Sequence, residues 1–386
     1  MGDFNALGGG NRPSESGPDV FKEPATPPPA SATPRRSIIE AAMSATSAPS
    51  PSVNRQWVLA SRPTGLPNES DFRVVEAPVP IPADGALLLR TAYLSVDPYM
   101  RSRIAGVKTY ADPVLPGDLM VGACVGRVVR SSNPGFREGD WAAGYWGWQE
   151  FFVSSGRGVH KLDPNLVPVT TALGILGGPG MTAYFGFLEL CKPKSGETVV
   201  VSGAAGAVGS AVGQIARIQG CRVVGIAGAD DKIACLTGEF GFDGAFNYKT
   251  ATDYSANLRE LCPKGIDCYF DNTGGAITDA VFPLMNPFGR IAVCGQISQY
   301  NLDKPEPGPR VLPLILVKQL RVEGFIVTRF ANRFAEGYRQ MAQWLKEGKL
   351  KYREHVVDGF ENAPKAFIAM LQGVNTGKMI VRLEGV

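Results

Sequence analysis

The sequence predicts an α/β protein in which a β-rich part precedes a doubly wound parallel sheet. Between residues 54 and 155, short β-like runs alternate with proline and glycine, which is typical of a small barrel or an irregular sheet. From residue 176 onward, strand-like and helix-like segments alternate, which indicates parallel strands connected by helices. At 386 residues, of which 44% are hydrophobic and 19% charged, the chain is long enough for two globular domains.

Residues 1–52 differ in composition from the rest of the chain. They are rich in proline, serine, alanine and glycine, so they cannot bury enough apolar surface to offset the entropy of ordering. The pair Arg35-Arg36 allows the alternative of an organelle-targeting peptide. Such peptides avoid acidic residues, yet four acids precede the pair: Asp3, Glu15, Asp19 and Glu23. We therefore predict a disordered tail.

The β-rich part contains five predicted strands. They span residues 56–60, 72–76, 86–94, 122–131 and 141–152. The second part opens with a predicted helix over 180–191, followed by a strand over 198–202, a helix over 207–219 and a strand over 221–227. Further strands are predicted at 244–247, 268–271, 290–294 and 322–327. The chain closes with a helix over 333–347, a strand over 353–360, a helix over 363–372 and a strand over 378–383.

A glycine-rich turn follows the strand at 198–202 and opens the next helix. Its residues are Gly203, Ala204, Ala205, Gly206, Ala207, Val208 and Gly209. Glycines let the backbone turn sharply and approach a pyrophosphate, and the helix N-terminus supplies unpaired N–H groups for its charge. The strand–turn–helix–strand context makes this a specific signal for a dinucleotide site.

The end of the second strand of this unit predicts which dinucleotide binds. A site for NAD places an acidic residue at that strand's tip to accept the ribose hydroxyl. Here the tip reads Ala227-Gly228-Ala229, with no acid, and Lys232 follows. We expect Gly228 to leave space for a 2′-phosphate and Lys232 to supply positive charge, which favours NADPH. The alternative is that Asp230 or Asp231 binds the ribose and Lys232 is only solvated.

Charge and donor patterns exclude other classes of function. A net charge of +3 without a basic run does not indicate a nucleic-acid partner, and no run approaches the about 18 apolar residues of a membrane span. The seven cysteines are scattered, and His160 and His355 are the only histidines, so no zinc-ligand cluster is expected. Dispersed cysteines in a chain of this length fit reduced thiols in the cytoplasm.

Residues 54–384 resemble a known family. The resemblance rests on the glycine turn and on five further stretches: 94–101 (LSVDPYMR), 180–186 (GMTAYFG), 269–275 (YFDNTGG), 294–300 (CGQISQY) and 359–364 (GFENAP). The chain resembles the zinc-independent medium-chain dehydrogenases/reductases, within the group of leukotriene B4 12-hydroxydehydrogenase, prostaglandin reductase and alkenal double-bond reductase. Zinc-using relatives carry a metal-binding cysteine near the position of Ser95 to Pro98.

The resemblance implies a GroES-like, β-rich catalytic domain into which a Rossmann cofactor domain is inserted. The expected boundaries are 53–175 and 353–386 for the two parts of the catalytic domain and 176–352 for the NADP-binding domain. Edge strands of such cofactor domains often pair, so a homodimer is expected.

The resemblance also implies site residues beyond the glycine turn. Lys232 and Tyr248 are expected at the 2′-phosphate, and Asn375 is expected to close over the cofactor. The residues expected along the nicotinamide half are Asn272, Cys294, Ser298, Tyr300, Phe325, Ile326 and Val327.

Without a metal, oxidation of an unactivated alcohol lacks a Lewis acid, whereas reduction of a conjugated C=C bond needs less help. Hydride is expected to attack the β-carbon while a donor stabilises the enolate. Tyr300 is the first candidate donor and Tyr99 the second; each is otherwise an aromatic that only shapes the pocket. A tyrosine found in some relatives is absent here, where Val317-Lys318 stands. Two alternatives stay open: a quinone oxidoreductase and a non-catalytic NADPH-binding protein.

Overall fold

The computed structural model describes residues 53–385. The tail predicted over 1–52 lies outside the described residues. The described chain forms two large sheets, one mainly antiparallel and one parallel, and a separate two-stranded ribbon. This architecture confirms the predicted α/β fold class.

Strands are the main regular elements of the first part of the chain. Its elements are β1 (Val53–Leu59), β2 (Phe72–Pro78), β3 (Leu87–Ser95), α1 (Tyr99–Arg103), β4 (Ala123–Ser131), β5 (Trp141–Tyr145), β6 (Phe151–Ser154) and β7 (Val159–Leu162). The two-stranded ribbon consists of β1 and β2, which run antiparallel.

Helices and strands then alternate. The elements are α2 (Gly178–Phe185), β8 (Thr198–Ser202), α3 (Ala207–Ile218), β9 (Arg222–Ala227), α4 (Asp230–Gly238), β10 (Gly244–Asn247), α5 (Tyr254–Leu261), β11 (Ile266–Asp271), α6 (Gly275–Val281), β12 (Met285–Val293), α7 (Leu312–Lys318), β13 (Arg321–Gly324) and α8 (Phe334–Lys346). The chain ends with β14 (Glu354–Asp358), α9 (Ala363–Leu371) and β15 (Lys378–Arg382).

The β-rich sheet contains strands from both ends of the described chain. Its order is β14-β15-β3-β4-β5-β7, with β6 paired to β3. Strand β15 runs antiparallel to β3, with Ile380 opposite Ser95. The C-terminal segment therefore completes the sheet that the N-terminal strands begin. The parallel sheet is an insertion between them, as the resemblance implies.

The parallel sheet has the order β10-β9-β8-β11-β12-β13. Every residue of β8 is buried, because helices cover both faces of the sheet. The chain moves outward from β8 to β9 and β10 on one side and from β11 to β12 and β13 on the other. The carboxyl ends of β8 and β11 therefore lie at the switch point of the strand order, where such sheets bind ligands.

Three predicted elements differ from those observed. The single strand predicted over 141–152 is two strands, because the chain bends at Gly147, which has a φ of +75°. A Cβ on Gly147 would lie 2.6 Å from the carbonyl oxygen of Met120. The helix predicted to end at residue 191 changes to a π-helical turn over Gly186–Cys191. The strand predicted over 322–327 ends at Gly324, and α1, α7 and β7 were not predicted.

Candidate cofactor and substrate site

The glycine turn connects β8 to α3 in a conformation that requires glycine. Gly203 has a φ of +57°, in the left-handed region that side chains disfavour. A Cβ on Gly209 would lie 2.4 Å from the carbonyl oxygen of Gly203. Helix α3 begins after Gly206 without a side-chain cap, so its first N–H groups lack intrahelical and side-chain acceptors. These features fit the diphosphate of a dinucleotide, whose oxygens accept such hydrogen bonds.

The expected adenosine end is built from β9, α4 and the residue after β10. Tyr248 packs directly on Gly228: a Cβ on this glycine would lie 2.7 Å from the tyrosine ring. The space over Gly228 that we expected to receive a phosphate is therefore filled by the Tyr248 ring. Asp230, the alternative ribose acid, accepts a hydrogen bond from the side chain of Asn247 at 2.8 Å.

Lys232 lies in the first turns of α4 with only 7% of its surface exposed. Its Nζ donates to the carbonyl oxygen of Gly373 at 2.6 Å. Burial lowers the pKa of this ammonium group. Lys232 is thus not a solvated surface residue, and it retains further donor positions for an anion.

A buried carboxylate organises the carboxyl ends of β8 and β11. Asp271 is 1% exposed. One of its oxygens accepts hydrogen bonds from Tyr269 Oη at 2.9 Å, Ser202 Oγ at 3.1 Å and the backbone N–H groups of Thr273 and Gly274 at 3.0 and 2.9 Å. Sequence reasoning missed Asp271; the available signal was an acid at the end of a strand predicted to be buried.

Next to Asp271, Asn272 is fixed by two hydrogen bonds to the preceding strand. Its Nδ2 donates to the carbonyl oxygen of Ser202 at 2.7 Å, and its backbone N–H donates to Ser202 Oγ at 2.9 Å. The side chain of Thr273 places its Oγ1 in a buried position without a hydrogen-bond partner among the described residues. An unpaired polar atom beside the glycine turn is consistent with a ligand group there.

The loop 294–300 packs across this edge and carries Tyr300. Cys294 donates its backbone N–H to the Asp271 carbonyl oxygen at 2.8 Å, and Ser298 Oγ donates to the Thr273 carbonyl oxygen at 2.6 Å. The Tyr300 hydroxyl accepts the backbone N–H of Gln296 at 3.2 Å, which leaves its own hydrogen free to be donated. Burial raises the pKa of Tyr300, so the hydroxyl stays protonated at neutral pH. Burial also raises the pKa of the Cys294 thiol to about 12.

Tyr99 is the first residue of α1 and comes from the β-rich part. Burial raises the pKa of its hydroxyl well above the usual value, as do the neighbouring Tyr145 and Asp97. Tyr99 and Ile297 of the 294–300 loop pack against the same hydrophobic cluster. The structure therefore brings together the segments that carry the two candidate tyrosines, one from the β-rich part and one from the inserted part. We refer to the region between Tyr99, the 294–300 loop and the glycine turn as the cleft.

A buried ion pair occupies the segment where zinc-using relatives hold a metal-binding cysteine. Lys378 is 3% exposed, and its Nζ lies 3.0 Å from an Asp97 oxygen and 2.6 Å from the Val96 carbonyl oxygen. Ser95 Oγ also donates to Asp97. Between residues 53 and 385, no group of three or more His, Cys, Asp and Glu side chains is placed to hold a metal ion.

Of the remaining predicted residues, Asn375 and Phe325 lie in different surroundings. Asn375 donates to the Gly377 carbonyl oxygen at 2.7 Å, and the Gly377 N–H donates to the Ala205 carbonyl oxygen of the glycine turn at 2.7 Å. Asn375 thus lies near the glycine turn, and its closing over the cofactor stays a prediction. The Phe325 side chain instead packs in the core against Phe270 and Gly186, because the parallel sheet needs an apolar cover there. Only the backbone of Phe325, together with Ile326 and Val327, remains as a candidate lining of the cleft.

Comparisons with known proteins agree with this architecture. Residues 55–162 match a family model described as the N-terminal domain of oxidoreductase, and residues 207–347 match one described as zinc-binding dehydrogenase. The chain is 48% identical over 337 residues to NADPH-dependent curcumin reductase of Escherichia coli, covering 86% of this chain and 97% of that protein. It is 43% identical over 332 residues to prostaglandin reductase 1 of Sus scrofa, covering 85% of this chain and 98% of that protein.

A solved structure shares both the fold and the sequence. CurA from Vibrio vulnificus in complex with NADPH matches with a TM-score of 0.82 at 44% identity, over 86% of this chain and all of that chain (100%). None of the helices between residues 53 and 385 is long and apolar enough to cross a membrane. The chain belongs to the medium-chain dehydrogenase/reductase family, in the group that contains curcumin reductase and prostaglandin reductase 1.

Proposed function

We propose that this chain is an NADPH-dependent reductase of α,β-unsaturated aldehydes and ketones that adds hydride to the β-carbon of the C=C bond. The observation that carries the proposal is the uncapped α3 N-terminus beside Gly203 and Gly209, in a chain 44% identical to a protein solved with NADPH. The names of the relatives, curcumin reductase and prostaglandin reductase, describe reduction and support the reaction class.

We assign the cofactor contacts to residues that lie along this cleft. The N–H groups at Ala207, Val208 and Gly209 bind the diphosphate, and Lys232 with Tyr248 binds the 2′-phosphate. Asn272, Cys294, Ser298 and the backbone of 325–327 line the nicotinamide half, and Asn375 closes the opposite side. When bound, NADPH supplies the hydride.

Tyr300 and Tyr99 are proposed to form hydrogen bonds with the carbonyl oxygen of the substrate. As hydride reaches the β-carbon, negative charge develops on the carbonyl oxygen, and a hydrogen-bond donor held in place beforehand stabilises it. Tyr300 is the proposed donor, since its hydroxyl is protonated and its hydrogen is free. Tyr99, on α1 of the β-rich part, is proposed to orient the same oxygen. The enolate then takes a proton at the α-carbon from a tyrosine, a ribose hydroxyl or water.

Localisation and domain boundaries are part of the proposal. All seven cysteines are free thiols, which supports a reducing compartment, the cytoplasm. We propose a catalytic domain of residues 53–175 and 353–386 around an NADP-binding domain of residues 176–352. The two sheets and their separate cores support these limits. We assign neither nucleic acid nor a membrane as a partner.

We propose that the chain forms a homodimer through the edge strand β13. Within residues 53–385 this strand pairs only with β12, so its outer backbone groups are available to a second strand. Beside it, α7 exposes Leu312, Leu316 and Val317, each more than 70% exposed. A second copy whose β13 pairs antiparallel to this β13 would cover the open strand edge and the exposed apolar side chains of α7.

If the protein is a dimer through β13 and α7, a single substitution in this interface should lower its mass in solution. Leu316→Lys places a charge on the apolar face of α7 and is expected to convert the dimer to a monomer in analytical ultracentrifugation. Leu166→Lys, at an exposed position of the β-rich part, is the control and is expected to leave the mass unchanged. A wild-type monomer at micromolar concentration would contradict the dimer.

The reaction is tested by NADPH oxidation with a panel of substrates. We expect alkenals and enones, including 15-oxoprostaglandin-like ketones, to be reduced with kcat/KM at least about tenfold above that for quinones. A preference for quinones would favour the oxidoreductase alternative. Tight NADPH binding without turnover of any of these substrates would favour a non-catalytic role.

Cofactor choice is tested at Lys232. Lys232→Ala is expected to raise the Kd for NADPH about tenfold or more and that for NADH less than threefold, because a charge-assisted hydrogen bond to phosphate is worth about 1.5–3 kcal/mol. The readout is titration of protein fluorescence. Lys365→Ala, an exposed lysine on α9, serves as the control. Equal losses for both nucleotides would contradict the 2′-phosphate assignment.

The donor role is tested at Tyr300. Tyr300→Phe is expected to lower kcat about 100-fold while leaving the Kd for NADPH within twofold, because only the charge in the transition state needs the hydroxyl. Since burial raises the pKa of this hydroxyl above its ordinary value, the wild-type kcat should not fall between pH 7 and 9 through loss of this proton. Tyr254→Phe, on α5, is the control. An unchanged kcat in Tyr300→Phe would exclude the role.

A further inference from the structure

Arg101 is a buried cation whose side-chain hydrogen bonds go to neutral acceptors. Its residue is 5% exposed, and it forms no ion pair with any carboxylate in the described part of the chain. Its guanidinium instead donates to two neutral oxygens: Nε to Asn301 Oδ1 at 3.0 Å and Nη2 to the Gly65 carbonyl oxygen at 2.9 Å. Burial lowers its pKa, and Asp71 and Asp303 offset this only in part. Burying an unpaired charge costs free energy, so the position demands a functional or structural reason.

The two segments that Arg101 connects are the ones that carry the candidate tyrosines. Arg101 lies in α1 two residues after Tyr99, and Asn301 directly follows Tyr300. The hydrogen bond therefore joins positions 200 residues apart, one in the β-rich part and one in the inserted part. Gly65, from the loop between β1 and β2, brings a third segment to the same guanidinium.

The backbone hydrogen bonds that link the 294–300 loop to other elements between residues 53 and 385 run to the parallel sheet. Cys294 and Ser298 bind backbone oxygens at Asp271 and Thr273, on the carboxyl end of β11. At its other end, the Arg101 contact fastens residue 301 to α1. Several hydrogen bonds therefore hold the loop to the parallel sheet, and the Arg101–Asn301 hydrogen bond holds its end to α1.

We propose that Arg101 is a positioning residue that sets the separation of the Tyr300 and Tyr99 hydroxyls across the cleft. Its Nε and Nη2 share one planar edge, so the two acceptors are held side by side, a geometry that the single ammonium of lysine does not reproduce. The kinetic consequence rests on the proposed function, whereas the effect on the loop does not.

The test uses Asn301→Ala, Arg101→Lys and the double variant in the full chain. Loss of the Arg101–Asn301 hydrogen bond, here called the bridge, is expected to accelerate backbone hydrogen exchange in residues 296–300 at least tenfold. Exchange in α3 is expected to stay unchanged. With an enone, kcat is expected to fall about tenfold, and the Kd for NADPH to stay within twofold. The double variant should show no larger change in exchange or kcat than the more affected single variant. Both substitutions remove the same Arg101–Asn301 hydrogen bond. Arg382→Met, which removes an exposed arginine paired with Asp358, is the control.

The outcomes distinguish a failure of the Arg101 proposal from a failure of the proposed function. Unchanged exchange of residues 296–300 in Asn301→Ala overturns the proposal, as does a lower melting temperature with kcat within twofold. If the wild-type protein reduces no enone, the proposed function fails and the exchange measurement alone decides on Arg101. Should Arg101→Lys not fold, Asn301→Ala carries the test, because it leaves the guanidinium in place.

Discussion

The carboxylate of Asp271 is the interaction on which the cofactor side of the site depends. It lies buried between β8 and β11 and accepts hydrogen bonds from both strand ends and from the loop that follows. Thr278 Oγ1 adds a fifth donor at 2.8 Å, to the second carboxylate oxygen. A charged acceptor with this many donors is stable without a cation and holds its surroundings in one conformation. Asn272, the glycine turn and the 294–300 loop all take their positions from that edge.

The C-terminal segment 373–378 connects this edge to the β-rich sheet. Gly373 accepts from Lys232, Gly377 donates to the glycine turn, and Lys378 forms the buried pair with Asp97. Together with the Arg101–Asn301 bridge, these contacts join the two parts on both sides of the cleft. The site is therefore a product of the inserted topology, because neither sheet alone carries both the turn and Tyr99.

Periodicity and glycine placement predicted the parts of the fold that are local. The buried run at 198–202 and the glycine turn are specified by neighbouring residues, and both were predicted correctly. The break at Gly147 was missed because its cause is the distant Met120 carbonyl oxygen. Phe325 was placed at the cofactor, yet its ring fills the space over Gly186, a contact that no local pattern reveals. Arg101 was missed for the same reason, because its partners Gly65 and Asn301 lie in other segments of the chain. Asp271 differs: only its donor Ser202 is distant in sequence, and the acid at the end of a buried strand was a local signal.

The proposed activity of this protein depends on hydride reaching the β-carbon of a conjugated C=C bond in this cleft. The most direct measurement is reduction of an enone with NADPH carrying deuterium at both C4 positions, followed by NMR of the product. One deuterium is expected at the β-carbon and none at the carbonyl carbon. Deuterium at the carbonyl carbon, with an allylic alcohol as product, would contradict it.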